Sequence, residues 1–323
     1  MCTAITYKTA HSYFGRTLDI EHTYPKQIVV TPRRYALTFR KMPSMSSHYS
    51  IIGMALVQDG YPLYFDAANE CGLAMAGLNF PENACYYSEK EGSDNITPFE
   101  FIPWILGQCK SISEAKTLLQ NINLCKIDFS RQLPLSPLHW IIADKESAIT
   151  VEPTTSGIKM YENPVGVLTN NPTFDYHITR LCDFINLTAQ PPQNRFGNVL
   201  LSPYSRGMGA IGLPGDLSSS ARFVRAAFVK LNSVCGESEE QSVGQFFHIL
   251  GSVEQQRGCV IMPDGAMELT EYTSCINLDR GVYYYTTYDN RGISAVDMHK
   301  CDLDGNKLYR FPLIEKQQIL WQN

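Results

Sequence analysis

The chain has 323 residues, of which 44% are hydrophobic and 18% charged, and its net charge is −5. This composition is ordinary for a globular protein with a substantial core, and the scattered basic residues give no positive patch for nucleic acid or an anionic membrane. No apolar run approaches the ~20 residues that a transmembrane helix requires, so we predict neither a nucleic acid partner nor a membrane partner.

The cysteines and histidines predict neither a metal site nor a disulfide framework. The ten cysteines form no CxxC pair, and the seven histidines show no HxxxH or HExxH spacing. The N-terminus has no basic segment followed by an apolar one, so we predict no secretory signal and a cytoplasmic location. Most of the cysteines are then expected to be small buried hydrophobic residues in a reducing compartment. We predict no metal and no cofactor.

The first third of the chain has the pattern of β-strands. The polar segment KTAHS separates CTAITY from YFGRTLDI, which predicts an N-terminal hairpin. QIVVTPR and YSIIGMALV continue the strands, and a turn at residues 69–72 joins a further pair. The pattern then becomes helical, because Thr97, Pro98 and Glu100 form a capping box at the start of TPFEFIPWILGQ, a helix that Pro103 would kink.

The middle of the chain alternates between helices and strands. Ser111 and Glu114 repeat the capping pattern in SISEAKTLLQNI. Strands return in HWIIA, SAITVEP, GIKMYE and GVLTNNP, and FDYHITRLCDFI follows as a helix. A loop rich in proline, glycine and asparagine then runs from about residue 189 to 217. Its GMGAIG segment matches the GxGxxG nucleotide motif but lacks the required strand and helix, so we reject nucleotide binding.

The last third predicts two helices followed by strands. The helices are SARFVRAAFVKL, capped by a serine at positions 218–220, and SVGQFFHILGSV; the strands are SCINLDRG, VYYYTTYDNRG, ISAVDM and KLYRF. No repeat or linker divides the sequence, so we predict one domain over residues 1–323. Strand runs that bracket two helical pairs predict an α+β fold, layered as αββα with sheets between the helical layers.

Cys2 is the first candidate catalytic residue. An initiator methionine before a small side chain is normally removed, which leaves Cys2 with a thiol and a free α-amine. The two groups have ordinary pKa values of about 8.5 and about 8, so both titrate near neutrality. The amine is then able to take the thiol proton and later deliver it to a leaving amine. A cysteine at position 2 is also commonplace and usually inert, so Cys2 alone does not establish an enzyme.

Arg16 and Asp19 lie on the strand that the hairpin places beside Cys2. A guanidinium near the thiol would stabilise the thiolate, and a carboxylate near the α-amine would orient it. The two positions differ by an odd number, so strict alternation places them on opposite faces unless a bulge or the strand end intervenes. The alternative is a solvated ion pair of little energetic value.

Two asparagines and two arginines complete the candidates. Asn79 and Asn170 end predicted strands before a proline turn, where asparagine usually forms turns but is also suited to donate an amide N–H to an oxyanion. Arg222 and Arg225 share one side of a helix, and the alternative to a functional role is a solvent-facing stripe.

The motifs taken together resemble the choloylglycine hydrolases, and especially the conjugated bile salt hydrolases among them. With MC at the start, the segments that carry the resemblance are FGRTLDIE, MAGLNFP, GVLTNNPTFD, LPGDLSSSARFVRAAF and EYTSCINLDRGVYYYTTYDN. It extends from residue 1 almost to the C-terminus. The resemblance implies an N-terminal nucleophile hydrolase with a four-layer αββα fold, frequently a homotetramer, in the cytoplasm of a bacterium.

Three catalytic positions of the family match residues of the first hairpin. Cys2 corresponds to the nucleophile that removal of Met1 exposes, Arg16 to the arginine beside the thiol, and Asp19 to the acid that orients the amine. The resemblance implies that Cys2 attacks the amide that joins a bile acid to glycine or taurine. The acyl-enzyme is then hydrolysed by water to release the free bile acid.

Three further positions match the family outside the hairpin. Asn79 and Asn170 correspond to the asparagines around the tetrahedral intermediate, and Arg222 to a helical arginine that supports the site. The alignment favours Asn170 over Asn171 and leaves Arg225 with a structural role. The penicillin V acylases of the same family tend to carry tyrosine at the position of Asn79, so this asparagine favours bile salts.

A conjugated bile acid is bulky and amphipathic, so its binding requires an apolar cleft with a few polar anchors. From their positions in the family we expect Leu18, Gln58, Tyr64 and Asn79 to bind it, with a wall formed in part by residues 127–135. Two alternatives stay open: a penicillin V acylase, and a bile-acid-binding protein that keeps the fold without catalysis.

Overall fold

Two large antiparallel sheets and five α-helices form the fold in the computed structural model, which describes residues 1–323. The strands of the first third are β1 (Cys2–Lys8), β2 (Ser12–Ile20), β3 (Lys26–Thr31), β4 (Ile51–Gln58), β5 (Tyr61–Asn69), β6 (Ala74–Asn79) and β7 (Asp94–Ile96). Those of the middle are β8 (Ile122–Leu124), β9 (Leu138–Ala143), β10 (Ala148–Thr154), β11 (Gly157–Glu162) and β12 (Val167–Leu168). The last are β13 (Val260–Ile261), β14 (Met267–Asn277), β15 (Val282–Thr287), β16 (Asn290–Asp297) and β17 (Tyr309–Pro312). The helices are α1 (Phe101–Gln108), α2 (Ile112–Leu119), α3 (Phe174–Leu181), α4 (Ser219–Asn232) and α5 (Glu239–Gly251).

The two sheets lie face to face between helices. The first sheet has the order β12-β1-β2-β14-β15-β16, with β13 paired to β14, and the second has the order β11-β10-β9-β6-β5-β4-β3-β17. Helices α3, α4 and α5 pack on the first sheet, and α1 and α2 pack on the second. The predicted αββα sandwich is therefore confirmed.

Strand β4 shows how the second sheet is covered on both faces, by the first sheet on one side and by helices on the other. Its sequence IIGMALVQ is a continuous apolar run, and it is buried along most of its length. Ile52 and Met54 pack into the core between the sheets, whereas Ile51 and Ala55 pack into the core under α1. A strand covered on both faces needs apolar side chains at every position, so an uninterrupted run is the expected pattern.

The predicted N-terminal hairpin is present and lies inside the first sheet. Its register pairs Cys2 with Leu18 and Ala4 with Arg16, and β14 pairs with the other edge of β2. Directly paired residues share a face of the sheet. Cys2, Arg16 and Leu18 therefore point the same way, towards the second sheet.

The start of α1 differs from the prediction. The helix begins at Phe101 with Glu100 as its N-cap, and the hydroxyl of Thr97 has no hydrogen bond. Residues 98–100 form a turn instead, because the Glu100 carboxylate bonds back to the Thr97 N–H at 2.9 Å. Pro103 then falls within the first turn of the helix, where a missing N–H is tolerated.

Three other regions bear on the predictions. The loop from about residue 189 to 217 holds only one short 3₁₀ turn, Met208–Ala210, which agrees with rejecting the nucleotide motif there. The parallel pair β7–β8 was not predicted, because each strand has only three residues. Among the helices, none combines the length and the hydrophobicity that spanning a bilayer would take.

Candidate active site

Cys2 lies at an apolar cleft of about 370 Å³, a volume within the range of small-molecule sites. Leu18, Tyr64 and Asn79, three of the residues expected to bind substrate, line the same cleft. Apolar side chains from several elements and loops complete its walls, among them Phe65, Phe99, Ile102, Phe129, Leu133 and Trp140. The cleft therefore combines one nucleophilic residue with a largely hydrophobic surface.

Gln58 does not line this cleft, so its role in binding stays a prediction. It is exposed at the end of β4 and pairs with Tyr61 across a tight turn. Asp59 and Gly60 both have positive φ in that turn, of 51° and 79°, as a two-residue hairpin turn requires. Leu56, two residues earlier on β4, does line the cleft.

Arg16 supplies a buried positive charge on the same face as Cys2. Its Nη1 donates to the carbonyl oxygens of Phe65 and Gly77 at 3.3 and 2.5 Å, and its Nη2 has no partner. Burial lowers the pKa of Arg16, but the acidic groups around it, with Cys2 the largest contributor, raise it above its usual value. The guanidinium is thus charged at all working pH values and is placed to stabilise a thiolate at Cys2.

Asn170 connects three of the other predicted residues. Its Oδ1 accepts a hydrogen bond from the Cys2 backbone N–H at 2.8 Å and a second from Arg222 Nη2 at 2.7 Å. Its Nδ2 donates to the carbonyl oxygen of Asn79 at 2.7 Å. Arg222 is fully buried, and its Nη1 also donates to the carbonyl oxygen of Cys2 at 2.6 Å. These four residues therefore form one hydrogen-bonded unit.

The two asparagines are not equivalent in this unit. The side-chain amide of Asn170 already serves three protein partners, whereas that of Asn79 is exposed at the cleft and makes no hydrogen bond. Asn79 is thus the freer donor for a negative oxygen in the cleft. Asn170 is better placed to orient the nitrogen of Cys2.

The Asp19 carboxylate makes no hydrogen bond to the Cys2 nitrogen while Met1 is in place, so the role expected for it towards the free amine stays a prediction. The carboxylate accepts from the hydroxyls of Thr17 at 3.1 Å and Thr270 at 2.7 Å. Alternation along β2 places Thr17 and Asp19 on the helix-facing side of the sheet, opposite Arg16. The register shift between β2 and β14 lies between Thr270 and Tyr272, so the extra residue is in β14 and the alternation of β2 is unbroken. In the chain that retains Met1, the peptide N–H of Cys2 donates to Asn170 instead.

Met1 extends β1 past Cys2. Its carbonyl oxygen accepts from the Asp19 N–H at 2.9 Å, and its terminal ammonium donates to the Asp19 carbonyl oxygen at 2.5 Å. The same ammonium forms an ion pair at 2.7 Å with Glu268, a nearly buried carboxylate whose pKa is raised by burial. Met1 also lines the cleft, so it lies directly beside the thiol.

A layer of polar residues that the sequence did not reveal fixes the backbone of Asn170. Its N–H donates to Ser219 Oγ at 2.8 Å, and its carbonyl oxygen lies 2.9 Å from His177 Nε2. The preceding carbonyl, that of Thr169, lies 2.9 Å from Nε2 of His139. His177 stacks on Phe223 of α4. Buried histidines in FDYHIT and PLHW were the available signal, but their partners are distant in sequence.

His177 makes the stability of the protein depend on pH. Burial lowers the pKa of His177 to about 4, against about 6.5 when unfolded, so between these values only the unfolded chain binds the proton. We expect this group to remove about 3 kcal/mol of unfolding free energy as the pH falls from 6.5 to 4. Urea unfolding of His177→Gln should show a correspondingly shallower pH slope. The exposed His22→Gln is the control, and an unchanged slope in His177→Gln would contradict the expectation.

Comparison with known proteins shows the family of this chain and agrees with its fold. Residues 2–311 match the family model of linear amide C–N hydrolases, choloylglycine hydrolase family. The chain is 53% identical over 319 residues, 98% of each chain, to a bile salt hydrolase/transferase of Lactiplantibacillus plantarum. It is 37% identical over 314 residues, 95% of each chain, to a bile salt hydrolase/transferase of Clostridium perfringens.

Solved structures give the same result. The crystal structure of the mutant C2A conjugated bile acid hydrolase from Clostridium perfringens matches with a TM-score of 0.93 at 36% identity, covering 100% of both chains. A penicillin V acylase from Agrobacterium tumefaciens shares the fold, with a TM-score of 0.75 at 21% identity over 96% of this chain and 91% of that one. The fold is that of the N-terminal nucleophile hydrolases. The chain belongs to the choloylglycine hydrolase family, and it is an amidohydrolase.

Proposed function

We propose that this protein hydrolyses the amide bond of bile acids conjugated to glycine or taurine, with Cys2 as the nucleophile. The observation that carries the proposal is the position of Cys2 at the cleft, beside the unpaired Nη2 of Arg16 and among apolar walls. A steroid fits an apolar cleft with few polar anchors. The L. plantarum relative, 53% identical, bears the name of a bile salt hydrolase.

The mechanism starts from removal of Met1. The α-amine of Cys2 then takes the thiol proton, and the thiolate, stabilised by Arg16, attacks the carbonyl carbon of the substrate. The amide side chain of Asn79 donates to the oxygen that becomes negative. When the C–N bond breaks, the ammonium of Cys2 protonates the departing amine and leaves a thioester. Water, activated by the same amine, hydrolyses the thioester and regenerates the thiol.

Asn170 and Arg222 support these steps without contact with the substrate carbonyl. The Oδ1 of Asn170 accepts from the Cys2 nitrogen at 2.8 Å, which directs the lone pair of a free amine to one side. Arg222 donates to that same oxygen at 2.7 Å and holds the Cys2 carbonyl, so both ends of residue 2 are fixed. Preorganisation of this kind lowers the barrier because the reacting groups need no further ordering.

A substrate series tests the proposal and its rivals. We expect taurocholate and glycocholate to release taurine and glycine at least about tenfold faster than penicillin V is cleaved, because selection between two apolar acyl groups typically reaches 10- to 200-fold. Amine release is measured on protein shown by mass spectrometry to begin at Cys2. Faster cleavage of penicillin V would assign the chain to the acylases, and binding of taurocholate without product would assign it to binding proteins.

We also propose that the protein forms a homotetramer in the bacterial cytoplasm. Several apolar side chains in and before the long loop are exposed: Ile185 by 80%, Phe196 by 72%, Leu200 by 98% and Tyr204 by 87%. A contiguous patch of such side chains is typical of surfaces that pack against another chain, and we propose that these four contribute to one. Analytical ultracentrifugation that finds only the mass of one chain would contradict the tetramer.

A further inference from the structure

Asp66 is a fully buried carboxylate in the middle of β5, between the two sheets. It is surrounded by hydroxyl donors of the opposite sheet. Tyr283 and Ser274 donate to its Oδ2 at 2.7 and 3.0 Å, and Tyr272 donates to its Oδ1. A carboxylate inside the apolar strand YPLYFDAAN needs such partners, since an unsatisfied buried charge is strongly unfavourable.

The same group of residues surrounds Arg16. Ladder pairing between β5 and β6 ends at Asp66 and Ala76, and the carbonyl oxygens just beyond, those of Phe65 and Gly77, accept from Arg16 Nη1 at 3.3 and 2.5 Å. The guanidinium of Arg16 therefore lies where β5 and β6 stop pairing and separate.

Ser274 links the two charges directly. Its Oγ accepts from the backbone N–H of Arg16 at 3.1 Å and donates to Asp66 Oδ2 at 3.0 Å. One hydroxyl therefore holds the strand that carries the guanidinium and the carboxylate that faces it. The opposite charges are neighbours across the gap between the sheets.

Arg16 needs a compensating negative charge, and Asp66 provides it without a direct ion pair. A buried guanidinium is unfavourable unless an opposite charge is near. No carboxylate lies within 4.0 Å of the Arg16 nitrogens, and its Nη2 has no partner. Burial raises the pKa of Asp66, whereas Arg16 and the three hydroxyls lower it, and Asp66 in turn contributes to raising the pKa of Arg16. The three hydroxyls donate to both oxygens of the Asp66 carboxylate, so it does not form a direct ion pair with the Arg16 guanidinium.

We propose that Asp66 is a positioning residue, the buried counter-ion that keeps Arg16 in place while its hydroxyl partners leave Nη2 free beside the Cys2 cleft. The inference rests on the proposed function in so far as Arg16 assists the thiolate of Cys2. A direct ion pair would satisfy Arg16 but would draw its second nitrogen away from the nucleophile. Without the Asp66 carboxylate, the guanidinium of Arg16 would have no compensating negative charge.

Alkylation of Cys2 by iodoacetamide, followed by mass spectrometry, tests this without any bile salt. The rate is measured at several pH values in the wild type, Asp66→Asn, Arg16→Met and the double variant. We expect Asp66→Asn to slow alkylation at pH 7 about tenfold, the change in thiolate population that one pKa unit produces. In the Arg16→Met background the same substitution should change the rate by less than about twofold, because Asp66 acts through Arg16.

Every other result overturns the inference. An equal effect of Asp66→Asn in both backgrounds would mean that Asp66 acts independently of Arg16, and no effect in either would mean that it does not act on Cys2. Faster alkylation with Arg16 present would mean that Asp66 opposes the thiolate instead of holding the arginine. If the double-mutant cycle shows that Asp66 acts on Cys2 through Arg16, but the wild type releases no amine from bile salts, the proposed function fails and the counter-ion role of Asp66 stands.

A milder pair of variants covers the case in which Asp66→Asn does not fold. Tyr283→Phe removes one donor to Asp66 and keeps the ring, so it should slow alkylation by a smaller factor, and only when Arg16 is present. Tyr285→Phe on the same strand is the matched control, since its hydroxyl accepts from the Ile314 N–H at 3.0 Å and does not touch Asp66. Equal rates for the two tyrosine variants would overturn the role of the hydroxyls.

Discussion

Replacing Cys2 with alanine is expected to abolish amide hydrolysis and to leave the structure unchanged. The loss should be at least about 10³-fold in kcat, because no other group near the carbonyl is able to form the acyl-enzyme. The hydrogen bonds of residue 2 to Asn170 and Arg222 use its backbone N–H and carbonyl, so alanine keeps them. Amine release from taurocholate measures activity, and urea unfolding measures stability.

Cys109→Ala is the matched control for this variant. Cys109 is also buried, with 3% of its surface exposed, but it lies directly after α1 and does not line the cleft. It should lose some stability and keep its activity. If Cys2→Ala retained more than about a tenth of the wild-type kcat, the thiol would not be the nucleophile, since removing a covalent nucleophile costs far more.

A chain that cannot expose the amine of Cys2 is expected to be inactive as well. In the structure with Met1 in place, the Cys2 nitrogen is an amide that donates to Asn170, so it has no lone pair available for a proton. Met1 also lines the cleft beside the thiol and is held by Glu268 at 2.7 Å. Loss of the general base alone should reduce the rate by about 10²- to 10⁴-fold.

A cleavable leader that ends directly before Cys2 provides the test. Uncut protein should be inactive, and specific proteolysis should restore turnover in proportion to the fraction of chains that begin with cysteine. The same leader on Cys2→Ala is the control, because cutting it should restore nothing. Full activity of the uncut protein would eliminate the terminal amine as the proton acceptor and leave the thiol with another base.

Local pattern predicted most elements of the fold, because most strands and helices are encoded by their own periodicity; the short pair β7–β8 and the start of α1 were the exceptions. The hairpin of β1 and β2 follows from a polar segment between two apolar ones, and its register places Cys2 and Arg16 on one face. The same alternation predicts that Asp19 faces the other way, and the structure agrees with it. The family role given to Asp19 concerns the free amine of Cys2, and it stays a prediction because Met1 is in place in this structure.

Long-range partners were beyond the reach of the sequence. Asp66 meets Tyr272 and Tyr283 across more than 200 residues, and Glu268 meets the N-terminus across 267. Nothing in the spacing of these residues brings them together, since the contact depends on how two sheets stack. A charged residue within an apolar strand indicates a buried partner, but it does not name the partner. The binding role of Gln58 rests on its position in the family, and it stays a prediction because Gln58 does not line the cleft.

Asn170 has a consequence for how activity relates to folding. One side-chain amide joins the chain start, the end of β6 and the first half of α4, and its partners there lie 52 to 168 residues from it along the chain. No part of the polypeptide holds a working portion of the machinery by itself. If any one of these segments detaches by local unfolding, catalytic activity should be lost while most of the core is still folded. Turnover should therefore vanish before spectroscopic signs of unfolding appear, which makes the enzyme a sensitive reporter of its own complete assembly.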